Sequence, residues 1–268
     1  MKKMVMLQSN SMDDETRKLA EEMLFSGPSK PNYVKKLFFG KWDEKAVIPF
    51  PQVPSLDVLK TQNLMEELKK FLDEKLDPVA IDKNSSIPKE VVQGLGKLGI
   101  LSITIPAQYG ALGLSQTAYC KTMELIASRC AATALFINAH QSVGLKALLL
   151  FGTKEQKDKW LPKLSSGESL AAFSLTEPNA GSDAGGIETI ATWDPNKERY
   201  IIKGKKQWTT NGSIAEIITV MAKVDGKVTA FLVTPDMPGF EVAAKALDKV
   251  GMRGSVTSNL TFNNVIPV

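Results

Sequence analysis

The period of the hydrophobic pattern changes once along this chain, at Gly167, and that change separates two stretches that cannot share one architecture. Before Gly167, apolar residues recur every three or four positions. Leu56, Leu59, Leu64, Leu68, Phe71 and Leu72 mark an amphipathic, core-facing helix that ends before Pro78. Pro88 at the first turn and Gly99 past the last bound a second helix through Leu98. Residues 115–150 hold two more helical patterns. The later one, ATALFINAHQSVGLKALLL, carries almost no charge and should be buried on nearly all sides. Thr153 to Gln156 is a capping box that opens a short helix through Leu161. Ahead of all these, residues 1–55 read as an irregular arm, because the X-Pro bonds of VIPFPQVPS favour extended backbone.

After Gly167 the runs shorten and alternate. Leu170 to Leu175, Ile187 to Trp193, Tyr200 to Ile202, Ile217 to Val224, Val228 to Val233, Phe240 to Val242 and Val256 to Phe262 are separated by Asn-Gly, Asp-Gly, Gly or Pro turns. No strand-helix-strand alternation occurs, which excludes a dinucleotide-binding parallel fold. The expected class is α+β, with an arm at 1–55, an all-helical domain at 56–166 and an antiparallel, barrel-like β-domain at 167–268.

Composition narrows the chemistry. The net charge of +4 is spread along 268 residues without a dense basic run, so an anionic partner is expected to be a small molecule and not a nucleic acid. The two cysteines, Cys120 and Cys130, supply neither a disulfide framework nor a CxxC site and read as buried thiols in a reducing compartment. One histidine, His140, sets metallo-hydrolysis aside and reads as a hydrogen-bonded core residue. No run approaches the roughly 18 apolar residues that span a bilayer, so a soluble protein is expected. The acids Asp13, Asp14 and Glu15 fit neither a secretory nor a transit signal.

Three segments can carry chemistry. ILSITIPAQYGALGLS, from Ile100, is either a tight connection between helices or a loop on which backbone approaches a ligand. AAFSLTEPNAGSDAGG, residues 171–186, is either a polar turn or a place where hydroxyls and main-chain N–H groups reach a phosphate or a heteroaromatic edge. In KQWTTNG, residues 206–212, Trp208 either stacks on a flat cofactor or fills the β-core.

The runs F-S-L-T-E-P-N-A-G-S-D at 173–183 and W-T-T-N-G at 208–212 resemble the paired signatures of the acyl-CoA dehydrogenases. The resemblance extends over I-P-A-Q-Y-G-A-L-G-L at 105–114, G-T-K-E-Q-K-x-x-W-L-P-x-L-x-x-G at 152–167 and D-K-V-G-M-R-G-S at 248–255. The arm at 37–53 is similar to the very-long-chain branch, including its sister that doubles as a respiratory complex I assembly factor.

The resemblance implies FAD as cofactor, with Phe173, Leu175 and Thr176 against the flavin ring and Ser182 touching both FAD and the acyl-CoA substrate. Trp208, Thr209 and Thr210 would lie along the flavin face and edge, with Thr210 near the reactive nitrogen, and the two motif loops are expected to line one cleft. It further implies α,β-dehydrogenation of long-chain acyl-CoA in fatty-acid β-oxidation, an electron-transfer flavoprotein as acceptor, a mitochondrial address, homo-oligomerisation at full length and a possible peripheral membrane association. The family's glutamate base lies in a third, helical domain, expected beyond Val268. Two alternatives stay open: an acyl-CoA oxidase and a non-catalytic assembly protein.

Overall fold

The computed structural model describes residues 33–38, 40–49, 52–196 and 198–267. They fall into two compact units, the first up to Gln52 and the second from Val53. In the first, the arm is less irregular than expected, since Tyr33–Phe38 form a short helix, α1. Tyr33 and Trp42 meet edge to face at 5.7 Å. Residues 1–32 of the arm, with Phe39, Phe50 and Pro51, lie outside the described residues.

The second unit opens with α2 (Ser55–Lys75), which buries Thr61, Leu64, Leu68 and Leu72. Leu56 and Leu59, expected on that face, are 64% and 55% exposed. A stripe through the four buried positions at 100° per residue leaves Leu59 on the opposite side of the helix. Helix α3 (Pro78–Asn84) is short and was not foreseen; Asp77 caps it by accepting from the Val79 and Ala80 N–H groups. Helix α4 (Lys89–Lys97) ends at Gly99, which takes the left-handed φ of 73° that a side chain would resist. Next come α5 (Gln116–Arg129), capped by Ser115, and α6 (Ala131–Asn138). Cys120 is exposed on α5, against expectation, while Cys130 is buried at the α5–α6 junction.

A π-helical turn, Ala139–Leu145, joins α6 to α7 (Lys146–Phe151). Together they form one 21-residue helix with mean hydropathy 1.3, long and apolar enough by length and composition to cross a membrane. The helix is not an unbroken apolar run, since Asn138, His140 and Gln141 interrupt the pattern without interrupting the helix, and half of its apolar window is buried inside the protein. Those polar groups serve the core: Gln141 donates to the Ile100 carbonyl at 3.1 Å and accepts from the Thr104 N–H at 3.2 Å. Helix α8 (Lys154–Ser166) carries the expected capping box but continues through Pro162 to Gly167, well past Leu161. Gly96 of α4 lies against it, and a methyl group there would sit 2.3 Å from the Ser166 carbonyl oxygen. Gly96→Ala should therefore cost about 1–3 kcal/mol of stability, measurable as a lowered urea midpoint with an unchanged slope.

The β-half is one seven-stranded sheet: β1 (Ala171–Ser174), β2 (Ile190–Asp194), β3 (Arg199–Thr210), β4 (Ile217–Val224), β5 (Lys227–Val233), β6 (Phe240–Ala244) and β7 (Thr257–Val265). The order is β1-β4-β2-β3-β7-β6, with β5 added to β4. Four pairings are antiparallel, as expected. The sheet is nonetheless mixed, for β1 runs parallel to β4, and β2 meets β4 in parallel at Ile190 and Lys223. The Glu216 N–H donates to the Leu170 carbonyl, 46 residues away in sequence, so β4 begins beside the beginning of β1. Ala172, Ile202, Val220, Val233, Leu260 and Phe262 anchor the interior of the sheet.

Candidate functional site

The two motif segments meet where β1 leaves the sheet and β3 ends. Inside, the hydroxyls of Ser174 and Thr209 bond to each other at 2.7 Å, both buried. Because strand side chains alternate, that inward pair turns Phe173 and Leu175, on one strand, and Trp208 and Thr210, on the other, toward the opposite face. Five of the seven sequence-predicted residues, Phe173, Leu175, Thr176, Trp208 and Thr210, thus come together. Thr209 does not join them through its side chain, which is consumed by Ser174. Ser182 lies further along the loop, exposed.

Trp208 is held out of the core by a bulge. The pairing of β3 with β7 slips between Lys206 and Thr209, and Trp208 takes a left-handed φ of 57°. That geometry is costly for an aromatic residue and persists only where neighbours fix it. Here the Trp208 N–H donates to the Asn259 side-chain oxygen at 3.2 Å, and the indole is left 61% exposed. Among the described residues, the hydroxyls of Thr176, Ser182 and Thr210 have no hydrogen-bond partner. An exposed flat ring beside free hydroxyls is the donor set a planar heteroaromatic group requires, so these residues fit a flavin.

The signature loop itself is fixed by its acids. Glu177 and Ala180 bridge each other through their main chains, and the Glu177 carboxylate accepts from the Glu188 and Thr189 N–H groups and from the Lys206 ammonium at 2.7 Å. Asp183 accepts from the Gly186 N–H at 3.0 Å. Burial would push the Glu177 carboxyl up, but Lys206 and these amide donors outweigh it and hold it below the usual glutamate value. Burial draws Lys206 below the usual lysine value, with Glu177 opposing. Lys206, Gln207, Ser174 and Asn259 were not singled out from sequence. Lys206 could have been, since alternation from the inward Ile202 places it inward too.

One further polar residue ties the helices to this face. His140 lies fully buried in the π-turn; its Nδ1 accepts the Ala171 N–H at 3.0 Å, so Nε2 carries the proton and donates to the Leu164 carbonyl at 3.1 Å. It is the core histidine expected from sequence. Gly144, one turn on, lets β1 approach, for a methyl group there would lie 2.7 Å from the Ala171 side chain. Burial lowers the His140 pKa to about 4, the Leu164 bond opposing. A depressed folded-state value means that the stability it contributes is intact above the unfolded pKa, about 6.5, and is lost as pH falls through about 4. The loss should total about 3 kcal/mol, read as the part of the pH dependence of urea unfolding that vanishes in His140→Gln.

Two depressions, of about 530 and 130 Å³, lie elsewhere, the first lined by residues including Thr61, Met65 and Lys121, the second by residues including Ser85, Lys249 and Arg253.

Residues 60–168 match the N-terminal domain and residues 172–265 the middle domain of acyl-CoA dehydrogenase. The chain belongs to the acyl-CoA dehydrogenase family. It is 35% identical to the very long-chain specific acyl-CoA dehydrogenase, mitochondrial, of Macaca fascicularis, covering 95% of this chain and 41% of that protein. It is 36% identical to the probable acyl-CoA dehydrogenase FadE10 of Mycobacterium tuberculosis, over 92% of this chain and 39% of that one. The chain thus spans about two-fifths of the length of these curated relatives. Among solved structures, butyryl-CoA dehydrogenase from Megasphaera elsdenii superposes with a TM-score of 0.72 at 34% identity, over 78% of this chain and 56% of that one. An acyl-CoA dehydrogenase complexed with FAD from Bacillus anthracis gives 0.72 at 31%, over 78% and 36%.

Proposed function

We propose that this chain supplies the flavin-holding face of an FAD-dependent dehydrogenase of long-chain acyl-CoA thioesters. The observation that carries the reading is the exposed indole of Trp208, fixed in a strained bulge beside the free hydroxyls of Thr176 and Thr210. Bound FAD would accept the hydride that leaves the β-carbon of the thioester. The protein's part is to orient and exclude water. Phe173, Leu175 and Trp208 offer apolar surface to the ring, Thr176 and Thr210 offer hydroxyl donors to its edge, and Ser182 stands where it can bridge the cofactor and the thioester. The preference for long acyl chains rests on the very long-chain relative, and a mitochondrial address on the same relative's name.

The acceptor is proposed to be an electron-transfer flavoprotein. Fold alone does not select it, because a prolyl acyl carrier protein oxidase superposes almost as well, with a TM-score of 0.71 at 30% identity. Oxygen consumption without an added acceptor separates the two, and rapid consumption would favour the oxidase. For the flavin face, titration of FAD by its fluorescence is the direct test. Trp208→Ala is expected to weaken binding by about 0.5–1.5 kcal/mol, or about two- to thirteenfold, the value of one aromatic contact. An affinity and a flavin spectrum both unchanged by Trp208→Ala would place the ring elsewhere.

A further inference from the structure

We infer that the buried Glu177–Lys206 ion pair, with Gln207 beside it, positions the flavin-contacting surface by locking the signature loop to the Trp208 bulge. The inference rests on the flavin reading above and adds residues that do not themselves touch the cofactor. Both charged side chains are out of water, at 0% exposure for Lys206 and 2% for Glu177. A pair so placed is poor evidence of a stability device, since an apolar pair of the same size would hold the fold as well or better. Its connections suggest another purpose. Lys206 donates to the Glu177 carboxylate at 2.7 Å and to the Leu175 carbonyl at 2.8 Å, so one ammonium grips the loop on both sides of Thr176.

Gln207 completes the grip from the next position. Its N–H donates to the Thr176 carbonyl at 2.9 Å and its side-chain amide to the Glu177 carbonyl at 3.2 Å. Trp208 follows at once in the bulge. Three consecutive loop residues, Leu175 to Glu177, are therefore bonded to two consecutive strand residues, and Thr176 and Trp208 share one rigid frame. Glu177 reaches further, to the Glu188 and Thr189 amides, so the far end of the loop that carries Ser182 hangs from the same carboxylate. Without the pair, nothing among these contacts except Gln207 ties the loop to the strand.

The test uses the full chain with Trp42, Trp160 and Trp193 replaced by Phe, leaving Trp208 as the reporter. In Glu177→Gln with Lys206→Met, the loop keeps an acceptor for its own amides but loses the link to β3. The expected result is a urea midpoint close to that of the parent, faster local motion of Trp208 in its anisotropy decay, and FAD affinity reduced about tenfold or more, as for loss of a charge-assisted bond. Unchanged Trp208 motion at an unchanged midpoint overturns the inference, whatever FAD does. If the double variant does not fold, Gln207→Ala decides, because its side chain is only half-buried. It should keep the parent's midpoint and weaken FAD several-fold, and an unaltered affinity and Trp208 decay would overturn the inference. Absence of FAD binding by the parent itself would refute the flavin reading, while the anisotropy decay would still judge the brace.

Discussion

Lys206→Met alone is expected to destabilise the protein by about 3–5 kcal/mol. Methionine fills most of the lysine's volume, so packing does not cause the loss. What remains is a carboxylate at 2% exposure whose cation is gone. Two amide donors cannot replace a full charge in a medium that screens poorly. The Leu175 carbonyl loses a donor as well. Glu177→Gln should cost less, about 1–3 kcal/mol, because the amide still accepts from the Thr189 N–H, and the lysine left behind can be neutralised by losing a proton. The double exchange should recover most of the loss. Equilibrium urea unfolding of the four proteins gives the coupling directly. Equal, additive losses would mean that the pair is not an interacting unit. The pH dependence carries a sign as well. With its folded value below the ordinary one, Glu177 contributes stability that is present above about pH 4.5 and lost as pH falls below it. That slope should be missing from both variants that lack the carboxylate.

The sequence was more legible in its local elements than in the contacts that join them. The change of period at Gly167 falls where α8 ends in a left-handed glycine, and Ile217 to Val224 matches β4 to the residue. These features are local, set by side-chain spacing and by glycine's freedom at positive φ. What was missed depends on partners distant in sequence. β3 runs to Thr210, although its pattern suggested a strand only to Ile202, because Lys203 and Lys205 face solvent while Lys206 faces inward to meet an acid 29 residues away. Alternation from Ile202 places Lys206 inward, but it cannot name the acid that makes a buried lysine tolerable. The parallel pairing of β1 with β4 was likewise hidden, being set by the contact of Leu170 with Glu216 and not by either strand. Thr209 shows the finer limit: its place in W-T-T-N-G suggests a ligand contact, and only the bulge at Trp208 explains why its hydroxyl turns inward to Ser174.

The 268-residue chain taken by itself should dehydrogenate acyl-CoA at least about 10²–10⁴-fold more slowly than a protein of the curated relatives' full length, even with FAD supplied. Removal of the α-proton needs a base within hydrogen-bond reach of the thioester, and the carboxylates near the flavin-holding face are already engaged. Glu177 is committed to Lys206 and two amides, Asp183 to the Gly186 amide, and Glu216 to the Leu170 N–H. Using Glu177 would also strand Lys206 in the interior. His140 is neutral, fully buried and bonded at both ring nitrogens, so it can neither reach a substrate nor accept its proton. The hydroxyls of Thr176, Ser182 and Thr210 are far too weakly basic to act without a partner. Exposure of Trp208 and Ser182 adds to the deficit, because water there screens the polar contacts that would acidify the α-proton. The measurement is turnover of a long-chain acyl-CoA with an artificial electron acceptor, comparing residues 1–268 with a chain extended to the length of its relatives. Flavin reduction in a single turnover should be followed in parallel, so that a failure to bind FAD is not mistaken for a missing base. Comparable rates from the two proteins would mean that one of these engaged carboxylates is released on binding, and Glu177→Gln and Asp183→Asn would then identify it.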